Sequence, residues 1–234
     1  LKALRDCVPP DMEIDLTLSG KRTNNGLACV HRRADAMDIY FIANFEDAPF
    51  NGMVGFRVTD GQPAVWDPNT GERRPLHAYE RDGSHTRMRL ALAPFESRFV
   101  VFERGEGQAE PPHVTRSDFV EVVSADQTGF TALASRNGPH GYRFHDGGET
   151  REGAAVVEGL PAALEVGGVW ELRFPGTGLS GETFQWPLLK SWTEEARLRH
   201  FSGRAEYTAA VELPEECFGA GVRLRLSLGV VGNV

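Results

Sequence analysis

Hydrophobic and polar residues alternate with a period of two along most of the chain, a pattern typical of half-buried β-strands. In the first hundred residues this alternation predicts six strands, which fall at 27–33, 38–44, 52–58, 63–67, 85–92 and 95–102. Glycine, proline, asparagine and aspartate cluster between these segments at intervals of about eight to twelve residues, as in all-β sandwiches. No convincing helical periodicity extends over a dozen residues or more. The pattern therefore predicts an all-β protein.

The second half of the chain carries the same pattern in shorter pieces. Residues 104–113 are rich in glycine and proline and are predicted to be a linker. Alternation within 119–133, 142–145 and 154–158 is compatible with a small antiparallel meander. A new unit is predicted from residue 164, with one strand at 168–174 and another over 202–213.

Both ends of the sequence suggest a piece of a longer protein. Residues 222–234 alternate like a strand and then stop, although a strand needs a partner. Residues 1–7 resemble the end of a helix, which two prolines at positions 9 and 10 would terminate. The predicted fold is thus all-β, with two or three antiparallel sandwich or meander units, truncated at both ends, after a short helical remnant. We divide the chain into 1–26, 27–104, 105–163 and 164–234.

Composition restricts the classes of function. The 234 residues are 41% hydrophobic, which is ample for buried cores, and the net charge is −8. An acidic chain with scattered basic residues argues against nucleic acid as a partner. No apolar run approaches the roughly 18 residues of a membrane span. The three cysteines have neither the CxxC pattern nor metal-ligand spacing and are predicted to be buried or half-buried thiols.

The sequence contains none of the catalytic or phosphate-binding motifs GxSxG, HExxH and the P-loop. His140 and His145 are five residues apart in a glycine-rich segment, but a zinc site needs three or four converging ligands. The adjacent acids at 194–195 and 215–216 are expected to be solvated, because a glycosidase pair must face across a cleft. From the residues alone, we expect acidic β-domains without a catalytic centre of their own.

A basic cluster at the end of the first predicted strand is the most notable polar feature. It comprises His31, Arg32 and Arg33. At a strand end beside a cleft, His31 and Arg32 could reach a hydroxyl or a carboxylate of a substrate. The alternative is an exposed basic turn that pairs with Asp35 or Asp38.

The four tryptophans allow two interpretations. Trp66 precedes a turn and is expected to be a core anchor, and Trp170 alternates with apolar residues and should also be core. Trp186 and Trp192 lie in a predicted loop, where an aromatic face could stack on a sugar ring. The alternative for these two is packing against the neighbouring sandwich.

Several motifs in order along the chain resemble one enzyme family. They are Val-Pro-Pro-Asp-Met-Glu at 8–13, the run from His31 to Asn44 with Asp-Ile-Tyr-Phe-Ile-Ala-Asn at 38–44, Phe-Arg-Val at 56–58, Pro-Ala-Val-Trp-Asp-Pro-Asn-Thr-Gly at 63–71 and Phe-Val-Val-Phe at 99–102. This series resembles the region that follows the catalytic barrel in bacterial α-L-rhamnosidases of glycoside hydrolase family 106. Three further motifs resemble the start of that family's C-terminal galactose-binding-like sandwich, which is shared with β-galactosidase-type enzymes. They are Gly-Val-Trp-Glu-Leu-Arg-Phe-Pro at 168–175, Ser-Trp-Thr-Glu at 191–194 and Phe-Ser-Gly-Arg-Ala-Glu-Tyr-Thr at 201–208.

The resemblance implies that a parent enzyme hydrolyses terminal α-L-rhamnosyl linkages in carbohydrate. It also implies that the catalytic carboxylates, and any calcium, belong to an upstream barrel that packs on these domains. No catalytic residue, metal ligand or cofactor site is transferred to this chain, and residues 119–157 match the family pattern poorly. The resemblance favours a periplasmic or secreted location.

The leading hypothesis is that the chain forms the accessory β-domains of an α-L-rhamnosidase-like glycoside hydrolase and is inactive alone. His31 and Arg32 are its substrate-cleft candidates, and Trp186 and Trp192 its carbohydrate-binding candidates. The rivals are a carbohydrate-binding or structural β-sandwich module and part of a β-galactosidase-like hydrolase.

Overall fold

The protein is described by a computed structural model for residues 10–14, 26–103 and 110–229. The described residues form seventeen β-strands, with two short 3₁₀ turns at Trp192–Glu194 and Glu215–Phe218. The strands are β1 (Met12–Ile14), β2 (Leu27–Ala34), β3 (Met37–Asn44), β4 (Phe50–Phe56), β5 (Gln62–Trp66), β6 (Arg73–Pro75), β7 (Glu80–Arg81), β8 (Thr86–Leu92), β9 (Ser97–Glu103), β10 (His113–Ser117), β11 (Glu121–Asp126), β12 (Gly129–Leu133), β13 (Gly138–His145), β14 (Thr150–Val157), β15 (Trp170–Arg173), β16 (Thr183–Trp186) and β17 (Glu206–Thr208). The predicted all-β class is confirmed.

The chain divides into two compact units, residues 1–158 and 159–234. The finer divisions predicted at 26 and 104 stay predictions. The helix end predicted at 1–7 lies outside the described residues. Within the described part of the chain, no helix is long and apolar enough to cross a membrane.

The first unit contains a β-sandwich of two antiparallel sheets. One sheet has the order β1-β4-β8-β7 and the other β2-β3-β9-β5-β6. The core between them is apolar, and it takes its largest side chains from β3, β4, β8 and β9, including Tyr40, Phe56, Met88 and Phe102. In β3 every even-numbered side chain is buried, which is the period-two pattern read from the sequence. The buried face of β3 therefore begins with Asp38 and ends with Asn44.

Strands β2 and β3, both predicted from the alternation, form a hairpin whose turn sets the register of the polar cluster. Asp35 adopts a left-handed conformation with φ of 48°, which aspartate tolerates better than most residues. The tight turn sets Arg33 opposite Asp38 and His31 opposite Tyr40. Because side chains alternate across a strand, His31 and Arg33 lie on the buried side of the sheet and Arg32 on the other.

A small meander completes the first unit. It consists of the three-stranded sheet β10-β13-β14 and the hairpin β11-β12. The Val114 amide donates to the His77 carbonyl at 2.8 Å, and the Tyr79 amide donates to the Val114 carbonyl at 3.0 Å. The ring of Tyr79 also stacks on His113 at 4.0 Å. These contacts attach the meander to the segment that leads into β7.

The second unit contains the sheet β16-β15-β17 and a separate core of Leu172, Phe174, Trp186 and Leu198. Trp170, predicted to be core, is half-buried at the start of β15.

Two strand predictions in the second unit were wrong in extent. The strand predicted over 202–213 is formed only at Glu206–Thr208, where three residues pair with β15. The strand predicted over 222–234 is not formed within its described residues, 222–229. Alternation of apolar and polar residues shows which face of a strand can be buried. A strand forms, however, only where a neighbouring backbone completes its hydrogen bonds.

Candidate functional site

The basic cluster at the β2–β3 hairpin is drawn together around one buried carboxylate. Asp38 is fully buried, with 0% of its surface exposed. His31 Nε2 lies 2.8 Å from Asp38 Oδ1, and Arg33 Nε donates to the same oxygen at 3.2 Å. A buried carboxylate needs such partners, because burying an unpaired charge is very costly. Asp38 therefore fixes the orientation of the His31 ring.

A second carboxylate approaches His31 from the residue before β1. Asp11 Oδ2 lies 3.6 Å from His31 Nδ1, and Arg57 Nε donates to Asp11 Oδ1 at 3.0 Å. The hydrogen bond from Arg57 holds the pKa of Asp11 below its usual value. The imidazole is thus placed between two carboxylates, and each carboxylate is accompanied by an arginine. We call Asp11, His31, Arg33, Asp38 and Arg57 the His31 cluster.

Tyr40 forms the floor of the His31 cluster. Its ring stacks on His31 with 4.1 Å between centroids and an interplanar angle of 5°. On its other sides it packs edge-on against Phe56 and Phe102. Its hydroxyl is buried and has no hydrogen-bond partner among the described residues. Burial, the largest effect, raises the pKa of this phenol, so it stays protonated.

The geometry separates the two substrate-cleft candidates. His31 retains partial exposure, with 16% of its side chain accessible, and is held rigidly by Asp38 and Tyr40. Arg32 is exposed on the opposite face of β2. One cleft cannot receive both side chains from this strand. The rigid, partly exposed imidazole is the group suited to orient a polar ligand.

The structure places the two carbohydrate-binding candidates in the core of the second unit. Trp186 is only 5% exposed and ends β16, which corrects the predicted loop position. Trp192 begins a 3₁₀ turn and packs against Phe174, Phe201 and Tyr207. Both indoles pack in the apolar core of their own unit, and packing against a neighbouring sandwich stays a prediction.

Sequence reasoning missed a second polar site, which lies within the first unit. An open cleft of about 590 Å³ lies between β7 and the polar face of the β10-β13-β14 sheet. At one end the Glu110 carboxylate receives Arg81 Nη1 at 2.8 Å and lies 3.7 Å from His113 Nε2 and 3.5 Å from His145 Nε2. We call this the Glu110 cleft. The residues that line the cleft come from β7, β10, β13 and β14, and Glu110 lies just before β10. No short motif in the sequence therefore indicates the cleft.

The histidines in and near the cleft have different roles. His113 is buried, its Nδ1 lies 2.9 Å from the Pro111 carbonyl oxygen, and burial lowers its pKa. His140 is also buried, but its ring nitrogens lie 3.2 and 3.0 Å from the backbone oxygens of Asp118 and Arg136. His145, spaced near His140 in sequence, instead lies beside His113, with ring centroids 5.2 Å apart.

In residues 10–14, 26–103 and 110–229 there is no group of three or more histidine, cysteine, aspartate or glutamate side chains that could hold a metal ion. The family resemblance implies calcium only in the upstream barrel, and the expectation that this chain holds none stays a prediction.

Comparison with known proteins confirms the resemblance for the part of the chain that contains the His31 cluster. Residues 2–81 match the family model described as alpha-L-rhamnosidase, glycoside hydrolase family 106. Over 78 residues, 33% of this chain, the sequence is 35% identical to a protein of Formosa agariphila described as "Putative beta-glucuronidase". The resemblance predicted for 168–208 lies outside the matched residues and stays a prediction.

One solved structure, a rhamnosidase from Novosphingobium sp. PP1Y, aligns with 88% of this chain at 21% identity and a TM-score of 0.49. The chain spans 7% of the length of the Formosa protein and 16% of the Novosphingobium chain.

Proposed function

We propose that this chain forms accessory β-domains of an α-L-rhamnosidase-like glycoside hydrolase, which removes terminal α-L-rhamnosyl groups from carbohydrate. The observation that carries the proposal is the family match over residues 2–81, which contain every member of the His31 cluster. Because the chain is a small fraction of its relatives' length, the activity is proposed for the longer protein.

The proposed role of this chain is structural and orienting. Hydrolysis of a glycoside needs two carboxyl groups that face the scissile bond from opposite sides. In the His31 cluster both carboxylates are committed to His31 and to an arginine, and Asp38 is fully buried. Such carboxylates are unsuited to act as acid and base. We therefore place the catalytic pair on an upstream barrel and assign His31 to orientation of a substrate hydroxyl.

The test compares two proteins on two substrates. The intact gene product and the 234-residue chain are each assayed with 4-nitrophenyl α-L-rhamnopyranoside and 4-nitrophenyl β-D-glucuronide. We expect the intact protein to release nitrophenol from the rhamnoside and the chain alone to release none. Turnover by the chain alone that a single Asp or Glu substitution abolishes would show that it contains its own catalytic centre.

The glucuronide serves as the second candidate substrate, because the Formosa relative is described as a β-glucuronidase. Turnover of the glucuronide but not of the rhamnoside would replace the proposed specificity and keep the accessory role. If the intact protein hydrolyses neither glycoside, the rival of a binding or structural module is favoured.

A further inference from the structure

The wall that the β10-β13-β14 sheet gives to the Glu110 cleft is polar along its whole length. On the β10-β13-β14 sheet, cross-strand pairing sets Arg143 opposite Glu152 and His145 opposite both Thr150 and His113. The residues between them point the other way, and Phe144 is buried there. One face of the sheet thus packs on apolar groups while the other presents hydroxyl, imidazole, guanidinium and carboxylate groups to the cleft.

Both arginines that line the cleft are paired with a carboxylate within it, and the remaining carboxylate, Glu80, is exposed. Arg81 Nη1 donates to Glu110 at 2.8 Å, and Arg143 Nε donates to Glu152 Oε1 at 2.6 Å. A site for a single anion or cation would present an uncompensated charge of the opposite sign. Each paired guanidinium and carboxylate instead has spare donors and acceptors, which suits a neutral ligand with closely spaced hydroxyls.

The cleft continues beyond the central ion pair. A second hollow of about 420 Å³ is also lined by Arg143 and Glu152, so the two hollows meet at this pair. The lining of the second hollow also includes Tyr142 and the glycines 141 and 153. A Cβ atom at Gly153 would lie 2.6 Å from the Tyr142 hydroxyl oxygen, so only glycine leaves that ring in place. Both volumes are within the range of about 300–1,000 Å³ typical of ligand sites.

We propose that the Glu110 cleft and the adjoining hollow form a binding groove for a neutral oligosaccharide, centred on the Arg143–Glu152 pair. The paired charges at the centre of the lining favour neutral polyhydroxyl compounds, and the choice of sugars among these rests on the proposed function. The groove is distinct from the His31 cluster and shares no residue with it.

The test measures binding by isothermal titration calorimetry on the 234-residue chain, so its result does not depend on hydrolysis. The probes are neutral rhamnose-containing disaccharides, neutral galacto- and cello-oligosaccharides, and an oligogalacturonide as the charged counterpart. We expect at least one neutral probe to bind, with an affinity that is unchanged between low and high ionic strength.

Two variants locate the site. Glu152→Gln keeps the side-chain shape but removes the charge that holds Arg143, and Thr150→Val removes one hydroxyl from the wall. We expect Glu152→Gln to weaken binding about tenfold or more, because it removes charge-assisted hydrogen bonds, and Thr150→Val to weaken it less. Glu182→Gln is the matched control, since Glu182 forms an exposed ion pair with Arg197 in the second unit. Far-ultraviolet circular dichroism verifies folding of each variant.

Three results would overturn the proposal. They are the absence of binding by every neutral probe, binding that both groove variants leave unchanged, and binding of the oligogalacturonide alone that is lost at high ionic strength. An intact protein that fails to hydrolyse the rhamnoside while its chain binds sugar refutes only the proposed activity.

Discussion

The hydroxyl of Tyr40, which has no hydrogen-bond partner in the described part of the chain, gives a prediction whose sign is opposite to that of most core substitutions. We expect Tyr40→Phe to stabilise the first unit. The phenylalanine ring can keep the stacking on His31 and the edge contacts with Phe56 and Phe102, and only the buried phenol oxygen is lost. An unsatisfied buried hydroxyl costs about 1–3 kcal/mol. Its removal should therefore raise the free energy of unfolding by about 1–2 kcal/mol.

Urea denaturation measures this change. With a denaturant dependence of about 1–3 kcal/mol per molar, the midpoint should rise by about 0.3–2 M while the slope stays constant. Because the chain has two units, which can unfold separately, circular dichroism is recorded together with tryptophan fluorescence. Three of the four tryptophans lie in the second unit, so fluorescence reports mainly on its unfolding. Tyr207→Phe is the control with the opposite sign. Its hydroxyl donates to the Lys190 carbonyl at 3.1 Å, so its loss should destabilise by about 0.5–1.5 kcal/mol.

The outcome for Tyr40→Phe also bears on the His31 cluster. A lower midpoint would mean that the hydroxyl has a partner in the folded protein, and the account of this site would then be wrong. If the variant is more stable, the hydroxyl is kept at a cost in stability, as functional groups often are. We then expect Tyr40→Phe to lower the activity of the intact enzyme.

Four further predictions follow from the same contacts. Asp38→Ala should lower the free energy of unfolding, measured in urea, by about 2–3 kcal/mol, because it removes the buried partner of His31 and Arg33. Asp11→Ala should lower it by less than about 1 kcal/mol, because Asp11 is more exposed. Equal losses would contradict the role of burial. Because the pKa of His113 is lowered in the folded state, the unfolded state binds this proton more readily. The free energy of unfolding should therefore decrease as the pH is lowered below about 6.5, and it should decrease less in His113→Gln than in the unmodified chain. Identical pH profiles of the two proteins would contradict this. Burial raises the pKa of Cys29 to about 11, which lowers the fraction of reactive thiolate. In a chain whose other two cysteines are changed to serine, alkylation of Cys29 at pH 8 should therefore be about 100-fold slower in the folded than in the unfolded state. Comparable rates would show that the thiol is accessible and ionised. In the intact protein, His31→Gln should lower kcat/KM on the rhamnoside about ten- to hundredfold. Arg32→Gln, on the opposite face of β2, should leave kcat/KM unchanged. The reverse result would show that Arg32, not His31, faces the substrate cleft.

The period-two pattern determined much of the first unit from sequence alone. Strand β3 and its neighbours β2 and β9 fall within a few residues of their predicted positions, because alternating apolar residues can bury only one face of a strand. The hairpin turn was equally local, since Asp35 tolerates the left-handed backbone that the turn requires. The family resemblance also rested on local runs of residues, and it is confirmed where those runs are densest.

The pattern was less informative in the second unit. Residues 202–213 alternate well, yet only Glu206–Thr208 pair with a neighbour. Trp186 and Trp192 were placed in a loop because short apolar segments do not reveal which partner will cover them. In both cases the position of another strand determined whether the predicted element forms or the side chain is buried.

What the sequence determined by itself was therefore the fold class, the faces of the strands and the family to which residues 2–81 are similar. The tertiary structure alone decided which distant groups meet. Asp11 reaches His31 across a sheet-to-sheet contact, and the Glu110 cleft joins His113 to His145 across 32 positions of sequence. Alternation of side chains is a property of each strand, but the pairing of strands depends on the packing of the whole core, which no local run of residues encodes.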